Sequence, residues 1–240
     1  MIIATEHIKI WYNCSVSGIR HFTTLIKAVI GLCRNLGLGP QNQQYLRDAG
    51  AIPKLVDLLF RADSEMKRGV FSDHEGVVPE DVAEGCTGAL HVLARDQTNR
   101  SLIRQSNVIP TICGFLSSTN ENMQRSAAGL LCELASDKDS IDIIEAQGAT
   151  TDLQGLLHSP NESVATYAAA TMYRISEDKP DHYRKRLSQV NPNLWSNRYF
   201  LSKTVIFSQN SKLIVGKSSI FSIFGLSIWM LDKSFDFWEK

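Results

Sequence analysis

A repeated pattern, a small residue followed five positions later by a branched apolar residue, constrains this chain more than any other feature. The pattern occurs at Gly31 and Leu36, Gly88 and Leu93, Gly129 and Leu134, and Ala170 and Ile175, in steps of 57, 41 and 41 positions. A period near 40 is typical of helical units that cannot bury their apolar faces alone and therefore stack. The sequence thus predicts an all-α solenoid of about three and a half repeats, with function on an extended surface.

Each unit also contains a residue suited to a tight corner between two helices. Gly50, Asn107 and Gly148 follow the same steps and end helical patterns. Glycine and asparagine adopt a left-handed backbone cheaply, and Pro53 and Pro110 suit the first turn of the next helix. We therefore expect a short helix, a tight turn, a second helix and then a third helix that carries the repeated pattern.

The pattern divides the 240 residues into three zones. Residues 1–26 remain unassigned, residues 27–187 carry the repeats, and residues 188–240 become rich in serine, isoleucine and phenylalanine. Residues 63–81 are polar and contain glycine and proline, so we predict an inserted loop that accounts for the longer first step. The tail is interpreted as a segment that docks elsewhere, a disordered segment, or an artefact of the gene model.

Composition and the cysteines limit the partners and the cell compartment that the sequence favours. Lysine and arginine balance aspartate and glutamate at 25 each, so the global charge favours neither nucleic acid nor a membrane surface. The apolar run at residues 218–231 is too short to span a bilayer. Cys33, Cys86 and Cys132 lie in third-helix patterns with no C-x-x-C spacing. They are interpreted as reduced core cysteines, which indicates the cytosol or nucleus.

Enzyme signatures are missing from the sequence. It contains no G-x-S-x-G motif, no glycine-rich phosphate loop, no H-E-x-x-H motif and no supported Cys-His pair. The glycines are already explained by helix corners and packing faces. We therefore predict a protein that is not an enzyme and that needs no metal or cofactor.

Several longer stretches resemble a known family. They are KAVIGLCRNL at 27–36, EGCTGALHVLARD at 84–96, QRSAAGLLCELA at 124–135, ATYAAA at 165–170 and SEDKP at 176–180. They resemble the last three armadillo repeats of the beta-catenin family, as does the insertion before Glu84. The resemblance covers about two thirds of the chain and stops near Ser188, which fits a truncated gene model or a genuine short isoform. It implies a right-handed superhelical armadillo solenoid.

The resemblance also implies a groove, lined by the third helices, that binds peptides. Side chains at i and i+4 share one face of a helix, and the face is rich in Lys and Arg, which suits acidic peptides. The predicted partner-binding residues are Lys27, Arg34, Asn35, His91, Arg95, Arg125, Tyr167, Tyr173 and Arg174. Tyr167 is in addition a candidate phosphorylation site, where phosphate would oppose acidic ligands.

These residues also have structural interpretations. Lys27 and Arg34 fit ordinary solvated helix charges, and Arg95 fits a cation that favours the helix C-terminus. His91 fits a half-buried wall residue, and Tyr167 fits the core. Tyr173 and Arg174 fit a cap on the end of the solenoid.

The function implied by the resemblance is a scaffold that links cell adhesion to Wnt signalling and transcriptional co-activation. Expected partners are cadherin cytoplasmic tails and T-cell-factor-type transcription factors, whereas alpha-catenin, nucleic acid and membrane insertion are not expected. The expected locations are the cytoplasm, the nucleus and the adherens junction. The alternatives are a non-functional fragment and an importin-type transport adaptor. The adaptor is disfavoured because Gly31, Gly88, Gly129 and Ala170 occupy its tryptophan positions.

Overall fold

The computed structural model describes residues 23–69, 78–177 and 179–180. The chain divides into two compact units, Met1–Arg198 and Tyr199–Lys240. The second unit lies outside the described residues, as do the predicted tail from residue 188 onward and most of the unassigned zone before residue 27.

The described residues form helices joined by turns. In chain order the helices are α1 (Thr23–Gly37), α2 (Pro40–Asp48), α3 (Ala51–Lys67), α4 (Pro79–Leu93), α5 (Gln97–Gln105), α6 (Ile109–Phe115), α7 (Glu121–Leu134), α8 (Lys138–Ala146), α9 (Ala149–Leu156) and α10 (Glu162–Ser176). α1 is a third helix, and three full units follow it: α2–α4, α5–α7 and α8–α10. The predicted all-α solenoid is confirmed over this part of the chain.

The corners between first and second helices have the predicted backbone. Gly50, Asn107 and Gly148 have φ angles of 73°, 54° and 72°. Each donates its N–H to the carbonyl three residues earlier, at 2.9, 3.1 and 2.9 Å. Asn107 tolerates this conformation because asparagine is among the few side chains that enter the left-handed region routinely.

The predicted inserted loop is wrong at both ends. α3 continues to Lys67 and α4 begins at Pro79, so residues 63–67 and 79–81 are helical. Asp63 pairs with Lys67 one turn later at 2.6 Å, while Met66 packs against the core, so this polar segment is amphipathic. Gly69, with φ 74°, follows the end of α3. α1 begins at Thr23, which agrees with the expectation that residues 21–26 could extend the first helix backward from residue 27.

Successive units stack with their third helices side by side. α1 packs on α4, α4 on α7 and α7 on α10, while each second helix packs on the third helix of its own unit. Leu59, Leu90, Leu93, Leu130 and Leu131 are fully buried in the resulting core. One continuous apolar core therefore runs through the units, as expected of a repeat protein.

Polar side chains on the first helices tie neighbouring units together. Arg47 Nη1 donates to Asp96 Oδ1 at 3.0 Å, and Arg100 Nε donates to Asp137 Oδ2 at 3.1 Å. The buried Asn99 donates its Nδ2–H to the carbonyl of Leu93 at 3.1 Å. Because these bonds lie at the ends of the third helices, they hold the third helices of consecutive units in register.

Candidate functional site

The predicted site residues lie on or beside the surface formed by α1, α4, α7 and α10, here called the third-helix face. Lys27, Arg34 and Asn35 lie on α1, His91 on α4, Arg125 on α7, and Tyr167, Tyr173 and Arg174 on α10. Arg95 differs from the sequence-based expectation, because α4 ends at Leu93 and Arg95 lies in the turn after it.

The centre of this face is an aromatic pair between two units. The rings of His91 and Tyr167 meet edge to face, with centroids 5.2 Å apart and an interplanar angle of 87°. His91 is buried, with 8% of its surface exposed. A Cβ on Gly129 would stand 2.5 Å from Cε1 of His91, so only glycine at this position leaves room for the imidazole ring. The small residue of the repeat thus makes space for a large residue of the preceding unit.

Three arginines act electrostatically on the histidine. Burial lowers the pKa of His91 to about 3, and the positive charges of Arg95, Arg34 and Arg125 act in the same direction. Removing the imidazolium from water and placing it among guanidinium groups both disfavour the charged form. His91 is therefore neutral at physiological pH and serves as part of an aromatic floor between cations.

Tyr167, on α10 of the last unit, is influenced by two of the same arginines. Burial raises its pKa, while Arg95 and Arg125 pull the pKa down, so both guanidinium groups lie near the phenol. The phenol is neutral at pH 7 and only partly accessible. The structure therefore brings Arg34, His91, Arg95, Arg125 and Tyr167 together in one cluster.

Arg174 is placed differently from the other predicted cations. Its side chain is buried, with 7% exposed, and its Nη1 donates to the carbonyl of Cys132 near the end of α7. Burial raises the pKa of the neighbouring Glu133, and Arg174 opposes that rise most strongly, ahead of Arg95. Arg174 thus helps to hold α10 against α7, which limits what it can offer a partner.

The front of the third-helix face, between α1 and α4, carries paired charges. Lys27 Nζ lies 2.9 Å from Asp81 Oδ2, and both side chains are over 40% exposed. Glu84 Oε1 accepts a hydrogen bond from Ser126 Oγ at 2.7 Å and lies 3.9 Å from Arg125 Nη2. Lys27 and Arg125 therefore have carboxylate neighbours within the protein.

Arg34 lies between the front and the centre of the face. Its Nη1 would be 3.3 Å from a Cβ on Gly88, which repeats the relation of His91 to Gly129 one unit earlier. Asn35 is exposed, and among the described residues no side-chain hydrogen bond ties it to the cluster. Tyr173 is half-buried on α10, and its carbonyl accepts a hydrogen bond from Ser176 Oγ at 2.7 Å.

Asp81 is the functional candidate that the sequence-based prediction missed. The predicted loop over residues 63–81 hid it, whereas it lies in the first turn of α4. Pro79 followed by Glu80 and Asp81 is a usual helix start, because proline suits the first position and acids favour the helix N-terminus. That signal could have placed Asp81 in the first turn of α4, although not its contact with Lys27.

The described cysteines are core residues. Cys33, Cys86, Cys113 and Cys132 are free and buried. Burial raises the pKa of Cys33 to about 11 and that of Cys113 to about 12, so these thiols are protonated and unreactive at pH 7. The core-cysteine interpretation is confirmed for Cys33, Cys86 and Cys132, whereas Cys14 lies outside the described residues.

Two further kinds of site have no candidate among the described residues. No group of three or more His, Cys, Asp or Glu side chains in the described part of the chain is arranged to hold a metal ion. Within those residues, no helix combines the length and the apolar character needed to cross a membrane. The apolar run at residues 218–231 lies outside them.

Comparison with known sequences identifies one repeat directly. Residues 96–136 match the family described as armadillo/beta-catenin-like repeat, and these residues hold the unit α5–α7. Human junction plakoglobin is 53% identical over 109 residues, a match that covers 43% of this chain and 15% of the relative. The mouse protein gives the same figures. This chain thus matches a small part of these relatives' length.

Solved structures agree on the fold. A designed armadillo repeat protein in complex with the peptide (KR)4 covers 78% of this chain and 74% of its own, with a TM-score of 0.56 and 18% identity. A structure described as "A conserved phosphorylation switch controls the interaction between cadherin and beta-catenin in vitro and in vivo" covers 64% of this chain and 33% of its own, with a TM-score of 0.58 and 25% identity. The resemblance seen in the sequence is confirmed: the chain contains an armadillo/beta-catenin-like repeat, is similar to plakoglobin, and folds over its described residues as an armadillo solenoid.

Proposed function

We propose that this chain is a non-enzymatic scaffold whose third-helix face binds acidic peptide segments. The observation that carries the proposal is the cluster of Arg34, Arg95 and Arg125 around the His91–Tyr167 pair. Guanidinium groups form charge-assisted hydrogen bonds with carboxylates, and the buried aromatic floor lowers the local dielectric in which these bonds form. No metal or cofactor takes part in this function.

The proposed partners are those that the sequence resemblance implies. Junction plakoglobin is named for junctions, and the similar beta-catenin structure is described as concerning the interaction between cadherin and beta-catenin. We assign to this chain the cytoplasmic tails of cadherins as first partners and T-cell-factor-type transcription factors as second. That assignment places it at the adherens junction and in the cytoplasm, with a nuclear role in Wnt signalling and transcriptional co-activation.

The importin-type alternative predicts the opposite ligand charge. A face that binds basic peptides needs available carboxylates, but Asp81 pairs with Lys27, and Glu84 contacts Ser126 and Arg125. Glu133 lies near Arg174, Arg95 and Arg100. The carboxylates of the face are therefore occupied from within, which favours an acidic ligand. A non-functional fragment would bind neither kind of peptide.

The test is a titration by fluorescence anisotropy of the 240-residue chain with an acidic cadherin-tail peptide and with a lysine–arginine peptide of equal length. We expect the acidic peptide alone to bind, with an affinity that falls as salt rises. Arg95→Ala should weaken binding about ten- to a hundredfold, because a charge-assisted hydrogen bond contributes about 1.5–3 kcal/mol.

The matched control is Arg61→Ala. Arg61 is an exposed arginine on α3 whose partner Asp57 lies one turn away at 2.8 Å, so its loss changes the net charge equally, outside the third-helix face. Equal affinities for Arg95→Ala, Arg61→Ala and the parent chain, with unchanged helical signal, would contradict the proposed function. Preference for the basic peptide would support the importin-type alternative.

A further inference from the structure

A small charged cavity lies between α1 and α4, at the front of the third-helix face. Its volume is about 200 Å³, and its lining consists of Lys27, Ile30, Gly31, Arg34, Asp81, Glu84 and Gly85. Small-molecule and cofactor pockets usually measure about 300–1,000 Å³. This cavity therefore suits one side chain of a bound peptide. Its lining holds two cations and two carboxylates, so the charge it accepts depends on which of these groups are already paired.

The two carboxylates of the cavity differ in the protein groups that they contact. Glu84 accepts a hydrogen bond from Ser126 and lies near Arg125, so it is held from α7. Asp81 has its ion pair with Lys27, in which the two side chains are 48% and 42% exposed. Exposed ion pairs contribute little to stability because water and salt screen them. The Lys27–Asp81 pair can therefore be exchanged at low cost.

Asp81 can also lose its cation without being left unstabilised. It lies in the first turn of α4, after Pro79 and Glu80. The partial positive charge of a helix N-terminus favours a carboxylate at such a position. When a partner carboxylate takes Lys27, the charge of Asp81 is still partly compensated by its own helix and by solvent.

We propose that Asp81 is a specificity-determining residue: it occupies Lys27 in the unbound chain, and an Asp or Glu side chain of the bound peptide displaces it from the cavity. The proposal rests on the proposed function, and it names the acidic side chain that the cavity takes. Binding at this position exchanges one ion pair for another. Lys27 therefore adds less to affinity than Arg95, whose guanidinium forms no ion pair among the described residues, although both belong to one face.

The experiment removes the competing carboxylate. Asp81→Asn should bind the acidic cadherin-tail peptide more tightly, by at most about fivefold, since this is the range that an exposed ion pair spans. Asp57→Asn is the matched control, because it removes the same charge from an exposed i,i+4 pair on α3. Its affinity should equal that of the parent chain.

Lys27→Ala, measured in two backgrounds, tests the same proposal independently of the affinity of Asp81→Asn. Lys27→Ala should weaken binding less than about twofold in the parent chain but about fivefold in the Asp81→Asn background, because only there is the ammonium group unoccupied. Equal affinities of Asp81→Asn and Asp57→Asn, together with an equal effect of Lys27→Ala in both backgrounds, would overturn the proposal.

Arg95→Ala separates this failure from failure of the proposed function. If Arg95→Ala weakens binding while the Asp81 and Lys27 variants behave additively, the scaffold function stands and the role of Asp81 is refuted. If the acidic peptide does not bind, or binds without dependence on Arg95, both fall together. Far-UV circular dichroism of each variant establishes that the helices are intact.

Discussion

α1 and α7 occupy equivalent places in their units but have different surroundings. Leu32 on α1 is 51% exposed, whereas Leu130, two steps of the repeat later, is fully buried. Leu25 and Met123 form a second equivalent pair, 47% and 1% exposed. α7 packs on α6 of its own unit as well as on α4 and α10, whereas α1 packs chiefly on α4 and α2. An apolar residue on a third helix is thus buried where helices of its own unit and of neighbouring units cover it.

The same contrast applies to charge along the third-helix face. At the front, Lys27 and Asp81 pair in contact with water. At the centre, His91 and Tyr167 are packed between units, and burial shifts the pKa of each. Stacking on both sides makes the centre a place where charges interact strongly, while the front remains screened.

The largest expected effect compares Leu130 with Leu32. Leu130→Ala should lower the free energy of unfolding by about 2.7–5 kcal/mol, because it opens a cavity in a packed core. Leu32→Ala should change it by less than about 0.5 kcal/mol. Urea denaturation followed by circular dichroism measures both. Similar losses for the two variants would mean that α1 is covered in solution as α7 is, which would contradict the difference in burial between Leu32 and Leu130.

An intermediate effect tests the buried centre through pH. The pKa of His91 is lowered from 6.5 to about 3, so below pH 6.5 the unfolded chain binds a proton that the folded chain does not. Stability present above pH 6.5 is therefore lost as the pH falls toward 3, by about 1.7 kcal/mol between pH 6.5 and pH 5. In His91→Gln this part of the loss should disappear.

The control for this prediction is His158→Gln, since His158 is exposed. Its stability should fall between pH 6.5 and pH 5 as much as that of the parent chain. The measurement is the urea midpoint at each pH. If His91→Gln and the parent chain lose equal stability over this range, His91 is protonated in the folded chain and the centre is wetter than the structure indicates.

The smallest expected effect concerns Tyr167. A phosphate on its hydroxyl would add about 1.5–2 negative charges near Arg95 and Arg125, where acidic peptides are proposed to bind. Tyr167→Glu should therefore bind an acidic cadherin-tail peptide several-fold more weakly than Tyr167→Gln, which removes the same ring without adding charge. Titration of both variants decides the matter, and equal affinities would argue against regulation by phosphorylation here.

The sequence predicted the fold well because the features of the repeat depend on the backbone and size preferences of single residues. The left-handed corners at Gly50, Asn107 and Gly148 and the small residues at Gly88 and Gly129 each have a physical requirement that few residues meet. The inserted loop was less predictable. Its first residues continue α3 because Asp63 pairs with Lys67 and Met66 reaches the core, and polar composition alone does not show this.

The site was predictable as a set of residues on a helical face but not as an arrangement. The periodicity of the third helices selected Arg34, His91, Arg125 and Tyr167 together, and the structure brings them into one cluster with Arg95. The periodicity did not show that Arg174 is buried against the carbonyl of Cys132. It also did not show that Asp81 forms an ion pair with Lys27.

The sequence alone determined the helical units, their corners and the positions that face a neighbour, because these follow from spacing and backbone preference within a few turns of chain. The tertiary structure alone decided which of those positions are buried and which charges are already paired. That outcome depends on residues about 40 or more positions apart, such as Lys27 with Asp81 and His91 with Tyr167. Burial and ion pairing are set by the distances across the stack, which no local pattern encodes.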